Sequence, residues 1–211
     1  MNTGIDNRIR ETARVLTVIF HPVFVPLYGL LIIFSSPTLL SFIPAAMKRV
    51  ILIVVFTNNV LIPLSLTAIL YARGAIKTFS ARDRNERVVL LTFALLMYSI
   101  TAVVLLRMQV PSLFKAYFIS IAIVTLITLV ITAFYRISLH ASGIGGLLAL
   151  VVFMMILYDI RSVWQLIAVI IAGGLVMSSR LYLDDHSPAE VWLGLLAGTA
   201  VMAVSLFCLL K

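Results

Sequence analysis

The stretch Val88–Leu106, VVLLTFALLMYSITAVVLL, carries no charged residue. Coiled as a helix with 1.5 Å of rise per residue, it reaches across the roughly 30 Å hydrocarbon core of a bilayer. Comparable apolar runs lie on both sides of it, at 15–34, 48–71, 114–135, 141–158, 163–180 and 191–210. In lipid a segment must satisfy its own backbone hydrogen bonds, which selects helices for such runs. The expected fold is therefore all-α, a multi-pass transmembrane helical bundle of about six to seven spans. The connections are short, so residues 15–211 read as one domain. Residues 1–14 form a polar N-terminal segment carrying Asp6, Arg8, Arg10, Glu11 and Arg14.

Composition agrees. Of 211 residues, 63% are hydrophobic and 11% charged, and mean hydropathy is +1.17. A soluble domain carries about 25% charged residues and could not bury this much apolar surface in one core. The first apolar run continues past His21-Pro22 with no small-residue cleavage pattern, so a cleaved signal peptide is not expected. The single cysteine, Cys208, excludes a disulfide framework and a thiolate metal site. The net charge of +8 fits loops facing anionic lipid. With almost no soluble surface, nucleic acid is not an expected partner; the lipid bilayer is. An integral, multi-pass location follows, such as a bacterial inner (cytoplasmic) membrane.

The charges avoid the span centres. All eight acidic residues, Asp6, Glu11, Asp83, Glu86, Asp159, Asp184, Asp185 and Glu190, lie outside them. Proton-coupled transporters usually need ionisable groups at mid-membrane, so transport is disfavoured. Counting crossings puts the N-terminus and the loops near 72–87, 136–140 and 181–190 on one face. That rim holds ten of the Lys and Arg residues and the opposite face six. By the positive-inside rule the rim is cytoplasmic.

Three stretches on this rim carry the chemistry. Ser179-Arg180-Leu181-Tyr182-Leu183-Asp184-Asp185-His186-Ser187-Pro188-Ala189-Glu190 has the form S-R-x5-H-x3-E. Arg136-Ile137-Ser138-Leu139-His140 lies upstream of it, and Lys77 through Arg84, of the form K-x6-R, comes first. In this order they resemble the signature of the type 2 phosphatidic-acid phosphatase (lipid phosphate phosphatase) superfamily, K-x6-R-P, P-S-G-H and S-R-x5-H-x3-D. Here Asn85, Ile137, Leu139 and Glu190 stand where that signature has Pro, Pro, Gly and Asp. The likeness covers residues 77 to 190.

The resemblance implies a phosphatase acting on a lipid phosphate or diphosphate, without metal or other cofactor. His186 would be the nucleophile, Glu190 its orienting carboxylate and His140 the acid for the leaving oxygen. Lys77, Arg84, Ser138 and Arg180 would hold the phosphate. Arg87, where the third span begins, competes with Arg84 for the first-motif role. The resemblance would put the rim on a periplasmic or luminal face, against the charge count. The chemistry suits these residue types. A neutral imidazole is a competent nucleophile near pH 7, and guanidinium forks match phosphate oxygens.

Each residue also has a plainer reading. Ser187-Pro188-Ala189-Glu190 is a capping box with proline at the first helical position, in which Glu190 only reaches back to Ser187. Lys77 could anchor at the interface. Asp184, Asp185 and His186 are adjacent and point different ways, against a metal. Asn58, Asn59 and Pro63 suggest a kink in the second span. Gly143, Gly145, Gly146, Gly173 and Gly174 suggest close helix approach. His21-Pro22 reads as interfacial, as do Trp164, Tyr182 and Trp192. A non-catalytic membrane protein, such as a degenerate relative or small transporter, or a lipid phosphotransferase using the same site, would share these features.

Overall fold

The computed structural model describes residues 3–76 and 83–211. Every regular element among the described residues is helical. The elements are α1 (Thr3–Ile19), α2 (Val25–Ser35), α3 (Ala45–Phe56), α4 (Ile62–Ala72), α5 (Arg84–Arg107), α6 (Ser112–Phe134), α7 (Leu139–Leu157), α8 (Val163–Tyr182) and α9 (Pro188–Leu210). They make seven membrane-spanning units, with α1–α2 and α3–α4 each acting as one interrupted span. The protein is an integral, multi-pass helical membrane protein.

The interruptions have local causes. Pro22 has no N–H, so α1 ends at Ile19 and the chain passes through a 3-10 turn, Pro22–Phe24, before α2. In the second span Pro63 likewise removes a donor, and the ladder slips by one residue into a π-helical turn, Thr57–Leu61. The irregularity expected around Asn58 and Asn59 is this turn. Asn59 is fully buried there and its Oδ1 accepts from Thr101 Oγ1 at 2.6 Å, tying the turn to α5.

The polar residues of 1–14 do not precede the first helix; α1 starts at Thr3 and runs straight through them. Its N-terminal part lies against the end of α8, where Asp6 accepts from the Tyr182 hydroxyl and Arg10 sits over the Tyr182 ring. Chain start and the 182–188 loop thus share one end of the bundle.

At the centre α7 and α9 pack backbone to backbone. A Cβ added at Gly145 on α7 would lie 2.3 Å from the Leu195 carbonyl, and one at Gly198 on α9 would lie 2.0 Å from the Ser142 carbonyl. Small residues permit this approach, which dispersion then rewards without help from water. Gly174, by contrast, faces open space, so close approach does not explain it. Around this pair α6 and α2 supply Phe114, Tyr117, Phe118, Leu30 and Ile33, all fully buried. Apolar side chains such as Ile156 and Leu196 face outward, as lipid contact requires. Trp164 and Trp192 are exposed near span ends, in keeping with an interfacial belt.

Candidate active site

Two helix starts form the floor of the site. Ser138 caps α7, its Oγ accepting from Ala141 N–H at 3.4 Å. Ser187 caps α9, its Oγ accepting from Glu190 N–H at 3.3 Å. The Ser138 N–H donates to the Glu190 carbonyl at 3.1 Å, which pins the two starts together. Gly194 makes room for this, since a Cβ there would lie 2.5 Å from the Ser138 carbonyl. Both helices present N-terminal N–H groups and positive dipole ends at the same place.

His186 stands just before α9 with its side chain 5% exposed, and its Nδ1 lies 2.6 Å from Glu190 Oε2. A carboxylate accepts, so Nδ1 carries the proton and Nε2 keeps its lone pair. The Glu190 carboxylate also lies 3.9 Å from Arg136 Nε. The Glu190 backbone N–H thus meets the Ser187 cap, while its carboxylate, which the capping box would turn back to Ser187, meets the His186 imidazole. Burial, with added repulsion from Arg180 and Arg136, holds the His186 pKa below its ordinary value, although Glu190 pulls the other way. His186 is thus neutral near pH 7.

Arg180 is delivered by the end of α8. Asp184 adopts a left-handed conformation, φ 54°. Its N–H donates to the Leu181 carbonyl, and the Asp185 N–H reaches back to the Arg180 carbonyl at 3.2 Å. This is a Schellman turn built on Asp where Gly is usual. It folds Asp185 over Arg180, and the two buried side chains form an ion pair at 2.9 Å. Asp184→Val should destabilise the protein by about 1–2 kcal/mol, because a β-branched residue resists a positive φ. Asp184→Gly should not. Thermal melts of the two variants in detergent check this; equal midpoints would contradict it.

One cavity of about 570 Å³ connects these groups. Its polar end is lined by His21, Arg87, Arg136, His140, Arg180 and His186. It continues into an apolar chamber walled by Phe24, Val25, Leu91, Tyr98, Ile121, Val124 and Met202. His140, in the first turn of α7, lies 3.1 Å through Nε2 from the Thr17 carbonyl. A carbonyl only accepts, so this histidine carries its proton on Nε2 and a lone pair on Nδ1.

The other expected site residues divide. Arg87 is buried, lines the cavity and donates from Nη2 to the Ile137 carbonyl. Arg84, at the start of α5, is exposed and stands outside the cavity lining. Of these two arginines it is Arg87, one turn further along α5, that lines the cavity. Lys77 lies outside the described residues. Ser138 is fully buried and spends its hydroxyl on the α7 cap rather than lining the cavity. Sequence reasoning missed Arg136, which lines the cavity and donates from Nη2 to the Asp185 carbonyl at 2.9 Å. It also missed the inward position of His21. The signal for Arg136 was its place one residue before Ile137-Ser138-Leu139-His140. Among the described residues no group of three or more His, Cys, Asp or Glu side chains is arranged to hold a metal ion.

The fold and cavity define a class: a helical membrane protein with a cation-lined polar chamber at one rim. The chain matches no protein-family model, no curated protein and no solved structure.

Proposed function

We propose that this protein is a membrane phosphatase that hydrolyses a lipid phosphate or diphosphate through a phosphohistidine on His186. The observation that carries the reading is the 2.6 Å Glu190–His186 contact beside a cavity lined by three arginines. Neutral His186 would present the Nε2 lone pair to phosphorus. Arg87, Arg136 and Arg180 would spread the charge of the equatorial oxygens, the main catalytic term in phosphoryl transfer.

The proton balance closes. A lipid phosphate monoanion brings one proton, which His140 Nδ1 passes to the leaving alkoxide as the P–O bond breaks and the N–P bond forms. Water then attacks phosphorus and gives a proton to His140 Nδ1, the N–P bond breaks to free His186, and His140 returns that proton to the departing phosphate, which leaves as the monoanion. An alcohol in place of water would make the same site a phosphotransferase. The apolar chamber supports a lipid substrate, since it continues from the polar end into the bundle and would take the first part of a chain. The headgroup would enter at the rim and the tail would remain in the bilayer, here taken to be a bacterial cytoplasmic membrane.

The test is phosphate release from a panel of lipid phosphates and diphosphates by purified protein. Wild type should hydrolyse at least one, and His186→Ala should abolish release and any acid-labile phosphoenzyme. Release that survives His186→Ala would refute the nucleophile. A wild type silent across the panel would favour a non-catalytic membrane protein.

A further inference from the structure

The chain has three histidines, and all three line one cavity. His186 and His140 have roles in the reaction proposed above, and His21 has none. The geometry points to His21 as a third imidazole of the site: a substrate-binding residue that donates its Nε2–H to a phosphate oxygen. This inference rests on the phosphate-handling reading of the cavity.

The argument begins with Pro22. In a continuous helix the Val18 carbonyl would accept from residue 22, which as proline has no N–H. The His21 N–H takes that carbonyl instead, at 3.2 Å. In a regular helix the same N–H would have served the Thr17 carbonyl. The displaced Thr17 carbonyl is the one that His140 Nε2 reaches at 3.1 Å. The break in the first span therefore supplies the acceptor that selects the His140 tautomer.

The same break turns His21 inward. Its backbone is extended in ψ, at 139°, and its Nδ1 accepts from the Val23 N–H at 3.3 Å, capping the 3-10 turn. With Nδ1 accepting, the proton resides on Nε2, and the ring offers a donor. The ring packs edge-on against His140, with centroids 5.5 Å apart and planes at 84°. A neutral donor suits this place. Three guanidiniums already line the cavity, and a further fixed cation would crowd them.

The competing role is packing alone, with His21 serving only to hold the His140 ring. Two variants of the full chain separate the roles. His21→Phe keeps an aromatic ring and loses the donor; His21→Gln keeps a side-chain N–H. Each is purified in detergent, and kcat/KM is measured on the lipid phosphate that wild type hydrolyses best. Inorganic phosphate binding is measured by calorimetry on the same samples. His21→Phe should lose about 10- to 100-fold in kcat/KM, the weight of a hydrogen bond to a charged group, and should bind phosphate correspondingly more weakly. His21→Gln should recover a large part of both.

Wild-type values in His21→Phe, or equal losses in both variants, would overturn the donor role while leaving the phosphatase reading intact. Hydrolysis absent in wild type but phosphate bound would overturn the phosphatase reading; the binding arm would still decide His21. A wild type that neither hydrolyses the panel nor binds phosphate would sink both.

Discussion

Glu190→Gln is expected to lower the rate constant for phosphate release by about 10²–10⁴-fold, the range seen when a histidine loses its orienting carboxylate. The carboxylate can only accept, so it holds the His186 proton on Nδ1 across 2.6 Å. A carboxamide can donate from its nitrogen, and it then favours the tautomer with the proton on Nε2, where the lone pair is needed. It also cannot stabilise the positive charge that develops on the imidazole once Nε2 bonds phosphorus. The pH profile should move as well. His186 must be neutral to attack, so activity falls on the acid side as pH drops through its pKa, which burial already holds below the ordinary value. Glu190 raises that pKa, so its neutralisation should shift the acid limb to still lower pH. Were Glu190 only a capping residue, the substitution would leave both rate and profile unchanged, since the cap uses its backbone N–H. Steady-state rates from pH 5 to 8 on wild type and variant decide the matter, and an unshifted profile at full rate would remove Glu190 from the mechanism.

Gly198→Ala should damage both folding and activity. Its new Cβ would sit 2.0 Å from the Ser142 carbonyl oxygen and 2.8 Å from the Ser142 Cα. Both obstacles are backbone, so no rotamer change relieves the clash, and α9 must retreat from α7. Overpacking of this kind costs typically 1–3 kcal/mol and more when backbone must shift. The retreat also parts the two helix starts, because Ser138 N–H holds the Glu190 carbonyl a short way along the same contact. His140 and His186 ride on those starts, and displacements of about 1 Å can cost 100-fold in rate. Folded yield and melting temperature should fall, together with phosphate release in whatever folds. Gly174→Ala is the control. Nothing lies within 4 Å of its added Cβ, and both properties should survive. A Gly198→Ala protein that melts and works like wild type would mean that the α7–α9 contact does not set the site.

The spans were readable because hydropathy reports the solvent directly. A helix in lipid satisfies its own backbone, so a long uncharged run needs no partner to be recognised. The breaks were readable in part. Pro63 marked the second, while Pro22 lay inside the run 15–34 and was read only as interfacial. The local geometry of the third motif was readable too. His186 and Glu190 are four residues apart across a helix start, a spacing that leaves the two side chains within reach of each other. The Arg180–Asp185 pair was not readable, because the two are five positions apart and the turn joining them depends on a left-handed Asp184 that no pattern announces.

Which polar residues share a cavity is a different kind of fact. Arg84 fits the first motif by count, yet one turn of helix separates an exposed guanidinium from the buried one on Arg87. Ser138 fits the second motif, yet its hydroxyl is taken by the helix it starts. His21 lies 119 positions before His140 in the chain and meets it ring to ring. The amino-acid order alone determined that this is a helical membrane protein with its polar chemistry on one rim. It also set His186 and Glu190 four residues apart across a helix start. Only the packing of α7 on α9, through glycines that let backbones touch, decided which arginines and which third histidine surround them. The physical reason is range: helix hydrogen bonds and hydropathy act over a few residues, while a cavity is assembled from contacts whose partners are far apart in the chain.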